Sequence, residues 1–265
     1  MKKIYVGNLS FQMTESELSA LFTAYGAVES ASLATDRDTG RARGFGFVSM
    51  PNDDEAELKR LHADGEYLAF LRLAVRSRRN ILVSGPTSSG KTTWTKALIQ
   101  EVPVDERLVT IEDARELVLD RHPNHVRLYY SKDDQGLARV TPKQLLECCL
   151  RMRPDRILLA ELRAEEAFEY LRNVNSGHPG SITSVHAASA ELAFEQLVLL
   201  VKQSPGGRTL DRCDIKQLLY LLIDIVIQCG VHDHRRVISE IWYQPERKST
   251  RGGEFFAALS HSESN

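Results

Sequence analysis

The residues best suited to chemistry are the run Gly85-Pro86-Thr87-Ser88-Ser89-Gly90-Lys91-Thr92, followed by Thr93. It matches Gly-x4-Gly-Lys-[Ser/Thr], comes after the apolar segment ILVS, and opens the helical segment TTWTKALIQ, which is the context that motif requires. Small residues let the backbone curl so that successive N–H groups and the helix N-terminus point at β- and γ-phosphate oxygens. Lys91 adds a positive charge, Thr92 offers a hydroxyl to Mg²⁺, and Gly85 and Gly90 permit the tight path. A Gly/Ser turn that matches by chance would lack the strand before it and the helix after it. ATP and Mg²⁺ are therefore the expected ligands.

Acidic groups near the γ-phosphate are the next requirement, because a carboxylate can orient the attacking water or the metal. Glu161 follows the apolar run R156-I-L-L-A and so falls at the C-terminal edge of a strand, where ligands of parallel sheets sit. Glu112 and Asp113, in TIEDARE, are candidates of the same kind. Capping or solvated roles are the alternative for all three.

These residues need a scaffold. From Asn80 onward strand-like and helical segments alternate: ILVSG, a helix from Lys91, RLVTIED, VRLYY, a helix around Leu145, RILLAEL, a helix around Phe168, and SITSVHA. That order predicts an α/β fold with a mainly parallel sheet covered by helices. Two further helices, Glu191–Gln203 and Asp211–Ile223, lead into a strand pair, IDIVIQCG and VISEIWY. Upstream, YLAFLRLAV reads as a helix with Leu68, Leu71, Leu73 and Val75 as its apolar positions.

Composition limits the partners. The chain has 265 residues and a formal net charge of -2, so its overall field advertises neither nucleic acid nor a membrane. The four cysteines include an adjacent pair, Cys148 and Cys149, but no Cys-x-x-Cys, which points to reduced thiols in the cytosol. The start MKKIYVGNLS lacks an apolar signal core, and the stretch Leu218–Ile227 is interrupted by Asp224 and too short to span a bilayer. A soluble, cytoplasmic chain without a transmembrane segment is expected. No internal repeat is found.

GPTSSGKTT, TIEDARE, CLRMRPDRILLAELR, SGHPGSITSVHA and ISEIWYQP, in that order, resemble the ring-forming traffic ATPases of bacterial secretion systems, especially type IV secretion. The resemblance implies a RecA-like P-loop domain and a hexameric ATPase that closes on nucleotide between neighbours. It also implies partners in a secretion machine at the inner membrane, and an activity that turns ATP hydrolysis into subunit motion. Carried over by position, Lys91 and Thr92 hold phosphate and Mg²⁺, Glu161 is the Walker B acid and metal-orienting residue, and Glu112 polarises water. His186, with His178, falls in the family's His box. Arg127, Arg151, Arg153 and Arg163 are candidate charge stabilisers, since a transition state that spreads negative charge rewards a guanidinium; Arg151 is the one assigned to catalysis. Ser88 stands where this family usually has glycine, a replacement that suits the loop only if its φ is negative.

The first fifty residues are similar to a different family, the RNA-recognition motif, with IYVGNL for its short signature and RGFGFVSM for its longer one, Met50 replacing the final aromatic. The resemblance implies a ferredoxin-like α+β unit in which Tyr5 and Phe45 stack on bases of single-stranded RNA, Phe47 packs on sugar and Arg43 meets phosphate. Locally, Ile4–Leu9 and Arg43–Met50 read as strands, and Thr14–Tyr25 as a helix with Leu18, Leu21 and Phe22 on one face and a Thr14–Glu17 capping box. Asp36–Gly40 reads as a turn. The motif's fourth strand is missing, and nothing resembles the N-terminal domain of the secretion ATPases. The expected organisation is a partial RNA-recognition motif over 1–56, with Asp53–Leu61 able to double as its second helix, a RecA-like domain over 57–245, and a frayed tail over 246–265. Two other functions remain open: an RNA-binding module with an inactive ATPase passenger, and a chimera with neither activity.

Overall fold

The computed structural model describes residues 2–23, 28–36, 41–50, 53–131, 140–163, 166–175 and 177–248. Most of the turn at Asp36–Gly40, Tyr25 and the tail from residue 249 lie outside them. By its contacts the chain divides into Met1–Glu66 and Tyr67–Asn265.

The first unit runs β1 (Lys2–Val6), α1 (Glu15–Thr23), β2 (Ser30–Thr35), β3 (Ala42–Met50) and α2 (Asp53–Ala63). The α1 start is a reciprocal cap: Thr14 N donates to Glu17 Oε2 at 2.8 Å and Glu17 N donates to Thr14 Oγ1 at 3.2 Å. Leu18 is buried, but Leu21 is 57% exposed, so the two do not share an inward face as expected. Positions 18 and 21 are three apart, and the face covered by this short helix is too narrow to take both.

The antiparallel sheet has the order β1-β3-β2, with no fourth strand among the described residues. Gly46 and Val48 turn inward; a Cβ on Gly46 would stand 2.6 Å from the Ser32 carbonyl and 3.0 Å from Leu18 Cδ2, so glycine is what lets α1 approach. By the period of two, Phe45 and Phe47 occupy the opposite face. Leu58 and Leu61 of α2 are buried. By contacts α2 groups with this unit, which runs to Glu66.

The second unit runs α3 (Tyr67–Arg76), β4 (Ile81–Ser84), α4 (Lys91–Gln100), β5 (Leu108–Glu112), β6 (His125–Tyr129) and α5 (Pro142–Cys149). It continues with β7 (Arg156–Leu159), α6 (Glu166–Asn175), β8 (Ile182–Val185), α7 (Ala190–Gln203), α8 (Arg212–Leu222), β9 (Ile225–His232) and β10 (Arg235–Tyr243). β4 pairs in parallel with β8 and β9, and β5 in parallel with β6 and β7, as expected for a RecA-like core; β10 returns antiparallel on β9. The two parallel groups meet at β7 and β8. There Leu162 N donates to Ser184 O at 2.8 Å, and the Ser181 and Ser184 hydroxyls donate to the carbonyls of Ile157 and Ala160.

β4, β5, β7 and β8 are buried along their whole length, which is why they read as continuous apolar runs. Helices begin where side chains can cap them: Thr141 with Gln144 for α5, Ser189 for α7 and Asp211 for α8. α3 buries Phe70, Leu71, Ala74 and Val75, the i, i+1, i+4, i+5 positions of one stripe, while Leu68 is 65% exposed, contrary to its expected role. A charged pair lies in the interior of this unit: fully buried Arg156 donates to Glu106 Oε2 at 2.5 Å and to the Val75 carbonyl at 2.7 Å.

Candidate nucleotide site

Because the strands run parallel, their C-terminal ends deliver the site residues to one edge. β4 ends at the loop 85–90, β5 at Glu112 and Asp113, β7 leads to Glu161 and Arg163, and β8 leads to His186. The loop has the geometry of an anion cradle. A Cβ on Gly85 would stand 2.5 Å from Ser89 Oγ and 2.7 Å from the Cys229 carbonyl, so no other residue fits there. Gly90, at φ +95°, is the N-cap of α4, and no side chain hydrogen-bonds to that helix start among the described residues. Thr92 and Thr93 are exposed on that turn, and Pro86, Thr87 and Ser88 form the outer rim.

Lys91 is largely buried. Its ammonium donates to the carbonyls of Gly85 at 2.9 Å and Pro86 at 3.0 Å, and lies 3.2 Å from His186 Nδ1. An ammonium has no lone pair, so Nδ1 accepts and the ring proton sits on Nε2. Nε2 in turn lies 2.8 Å from Glu161 Oε1. Glu161 Oε2 accepts from Arg163 Nη2 at 2.5 Å, and Arg163 Nη1 donates to Asp113 Oδ2 at 2.8 Å. A chain of alternating character, Lys91–His186–Glu161–Arg163–Asp113, therefore lines the mouth of the loop. Burial lowers the Lys91 pKa, opposed by the negative charge of Glu161, and the hydrogen bond to Glu161 raises that of Arg163.

The residues fit a bound Mg²⁺. Glu161 Oε1 is buried, and its contact with His186 lacks hydrogen-bond geometry, so this oxygen has no donor of its own. A hard oxygen of this kind suits an ion that keeps its waters and binds phosphate, and the exposed Thr92 offers a second such oxygen on the first turn of α4. Among the described residues no group of three or more His, Cys, Asp and Glu could hold a metal unaided.

A model of the Type II/IV secretion system protein family matches residues 51–238. The chain belongs to that family. It is 56% identical over 198 residues to the type IV secretion system protein VirB11 of Bartonella henselae, covering 74% of this chain and 55% of that one. Against VirB11 of Brucella suis biovar 1 the identity is 51% over 214 residues, covering 79% and 58%. The chain thus spans a little over half the length of these relatives. The crystal structure of the VirB11 ATPase from the Brucella suis type IV secretion system, in complex with sulphate, superposes with a TM-score of 0.69 at 43% identity over 80% of this chain and 69% of that one. The pilus retraction motor PilT with bound ADP shares the fold, with a TM-score of 0.52 at 19% identity over 94% of this chain and 74% of that one. A model of the RNA recognition motif matches residues 4–68.

In this secretion-system family member the sequence-based candidates divide. Lys91, Glu161 and His186 come together, while Glu112 is turned elsewhere. Its fully buried carboxylate accepts from Thr110 Oγ1 at 2.8 Å and from the backbone N–H groups of Glu116 at 2.9 Å and Leu117 at 2.8 Å, with Arg127 Nη1 at 3.5 Å. It holds the segment 113–117 that carries Asp113. Arg151 and Arg153 precede β7 and so lie at the opposite edge of the sheet from Glu161; His178 precedes β8 and lies beside the packed interior formed by Leu146, Tyr170 and Ser181. The sequence singled out Arg163 only as one of four arginines; its place two residues after Glu161 was the available signal. It missed Arg236, whose Nε donates to the Ser88 carbonyl.

On the first unit Tyr5, 63% exposed, pairs across the ladder with Phe47. The ring centroids of Tyr5, Phe45 and Phe47 lie 5.6 to 6.1 Å apart, and the Arg43 guanidinium is 5.5 Å from the Phe45 ring. The expected aromatic face is assembled.

Proposed function

We propose that residues 67–248 bind ATP with Mg²⁺, hydrolyse it, and convert each turnover into movement between identical subunits of a ring, as the motor of a type IV secretion system. The observation that carries this reading is the run of polar contacts Lys91–His186–Glu161–Arg163–Asp113 beside the N-terminus of α4. Lys91 and the amides of the loop hold the phosphates. His186, touching both Lys91 and Glu161, registers whether the ammonium has moved onto a γ-phosphate. Glu161 and Thr92 are the groups that would hold Mg²⁺, which supplies charge neutralisation on the phosphate oxygens. Arg163 positions Glu161 for water or metal, and Glu112 fixes the segment bearing Asp113. Arg151, on the far edge, could reach a γ-phosphate only from a second copy, which agrees with a hexamer. No helix among the described residues is long and apolar enough to cross a membrane, which suits a cytoplasmic motor docked on inner-membrane components.

The test is steady-state ATP turnover against protein concentration, with the assembly state measured on the same samples and K91A as the blank. Turnover that rises with assembly and vanishes in K91A is expected; equal turnover in K91A would sink the reading. The aromatic face of residues 2–63 supports a second reading, in which that face stacks bases of single-stranded RNA.

A further inference from the structure

Ser88 adopts φ +64°, the left-handed region that a residue with a Cβ avoids. A negative φ, the condition on which serine suits this loop, is therefore not met by Ser88. Its carbonyl accepts Arg236 Nε at 3.1 Å. The stem of the same arginine lies along the loop: a Cβ built on Gly90 would stand 3.1 Å from Arg236 Cδ and 3.5 Å from Arg236 Cβ. Fixing the Ser88 carbonyl fixes the plane of the Ser88–Ser89 peptide. That plane sets the turn in which Ser89 N donates to the Pro86 carbonyl at 3.3 Å and Ser89 Oγ donates to it at 2.8 Å.

The hairpin that supplies Arg236 touches the site twice more. The Cys229 carbonyl of β9 lies under Gly85, and Gln228 Nε2 donates to the carbonyl of Ala187, next to His186, at 3.2 Å. The pairs Ser84 with Gln228 and Arg236 with Val231 show how: β9 runs parallel to β4 up to the loop and then continues past it, so that the start of β10 folds back over the rim.

We propose that Arg236 is a positioning residue that clamps the phosphate loop, holding Ser88 in its left-handed conformation so that the loop is shaped before phosphate arrives. The proposal rests on the nucleotide reading above and deepens it. Glycine would hold that conformation unaided, so the arginine matters only because residue 88 is serine.

R236M keeps an apolar stem over Gly90 and removes the donor. Hydrogen exchange of the peptide covering residues 86–91, without added nucleotide, should speed up about tenfold in R236M, and the Kd for a fluorescent methylanthraniloyl-ADP with Mg²⁺ should rise by about the same factor, the scale of one left-handed residue. The thermal midpoint should stay within about 4 °C of the parent. R236K, which keeps the charge but not Nε, should behave like R236M. Adding S88G to R236M should restore most of the affinity. Unchanged exchange in R236M, parental affinity in R236K, or an equal loss with and without S88G would each overturn the clamp. If the parent chain binds no nucleotide, the functional reading fails and the exchange measurement alone decides the clamp.

Discussion

In residues 67–248 the groups assigned to chemistry hold one another around a buried lysine: Lys91 leans on exposed His186, His186 on half-buried Glu161, and Glu161 on exposed Arg163. In residues 2–63 the corresponding groups stand on an open sheet face, where Tyr5, Phe45 and Phe47 touch mainly each other. A site that must stabilise charge needs groups already held in place by one another. A site that stacks bases needs only a flat apolar surface within reach of solvent. Substitutions in the first should therefore cost stability or a whole function, and substitutions in the second should cost affinity in small, separable steps.

The sharpest way to break that contrast is E106A, which leaves Arg156 buried without its partner; unfolding in urea should show a loss of about 3–5 kcal/mol. A loss below about 1 kcal/mol would mean that the interior of this unit tolerates an unpaired charge. K91A should weaken nucleotide binding by on the order of a hundredfold, the scale of one preorganised charge, with the fold kept, because burial already disfavours the ammonium. Glu112 and Glu161 offer a finer comparison. E112Q should destabilise by about 1–3 kcal/mol through the four groups its carboxylate meets, whereas E161Q should bind nucleotide and lose at least about tenfold in turnover. Equal stability of the two variants would erase the distinction. In the first unit, Y5A and F45A should each lose about 1–3 kcal/mol of affinity for single-stranded RNA while the midpoint of the second unit stays put.

The smallest effect concerns thiols. Cys148 and Cys213 are exposed, whereas burial pushes Cys149 up to about 12 and Cys229 up to about 11. A thiol reagent at neutral pH should label two cysteines quickly and two slowly. Unfolded chains ionise near the ordinary value of 9.0 while these two folded thiols stay neutral, so their contribution to stability falls as pH climbs from there through about 12.

Much of the second unit was legible. The apolar runs ILVS, RLVTIE and RILL are strands because helices cover both faces, and the loop was readable because its glycines stand at the fixed spacing of a strand-to-helix turn. In the first unit the paired aromatic signatures were legible, but α2 was harder to place because its charge masks Leu58 and Leu61. Leu21 and Leu68 were misread for a common reason: hydrophobic spacing states which residues could share a face, and the neighbour's extent states which of them are covered.

The sequence alone determined the order of strands and helices, the glycine-bounded turn between β4 and α4, and the serine at its position 88. Only the tertiary structure decided which side chains meet. Lys91 and His186 are 95 residues apart, Arg163 and Asp113 50, and Ser88 and Arg236 148. It also decided that Glu112 turns toward Thr110 and the backbone of Glu116 and Leu117 while Asp113 reaches Arg163. Glu112 ends β5 and Asp113 lies just beyond it, and which of the two looks onto the site is set by how the strands are laid side by side, a relation between distant segments that no local pattern contains.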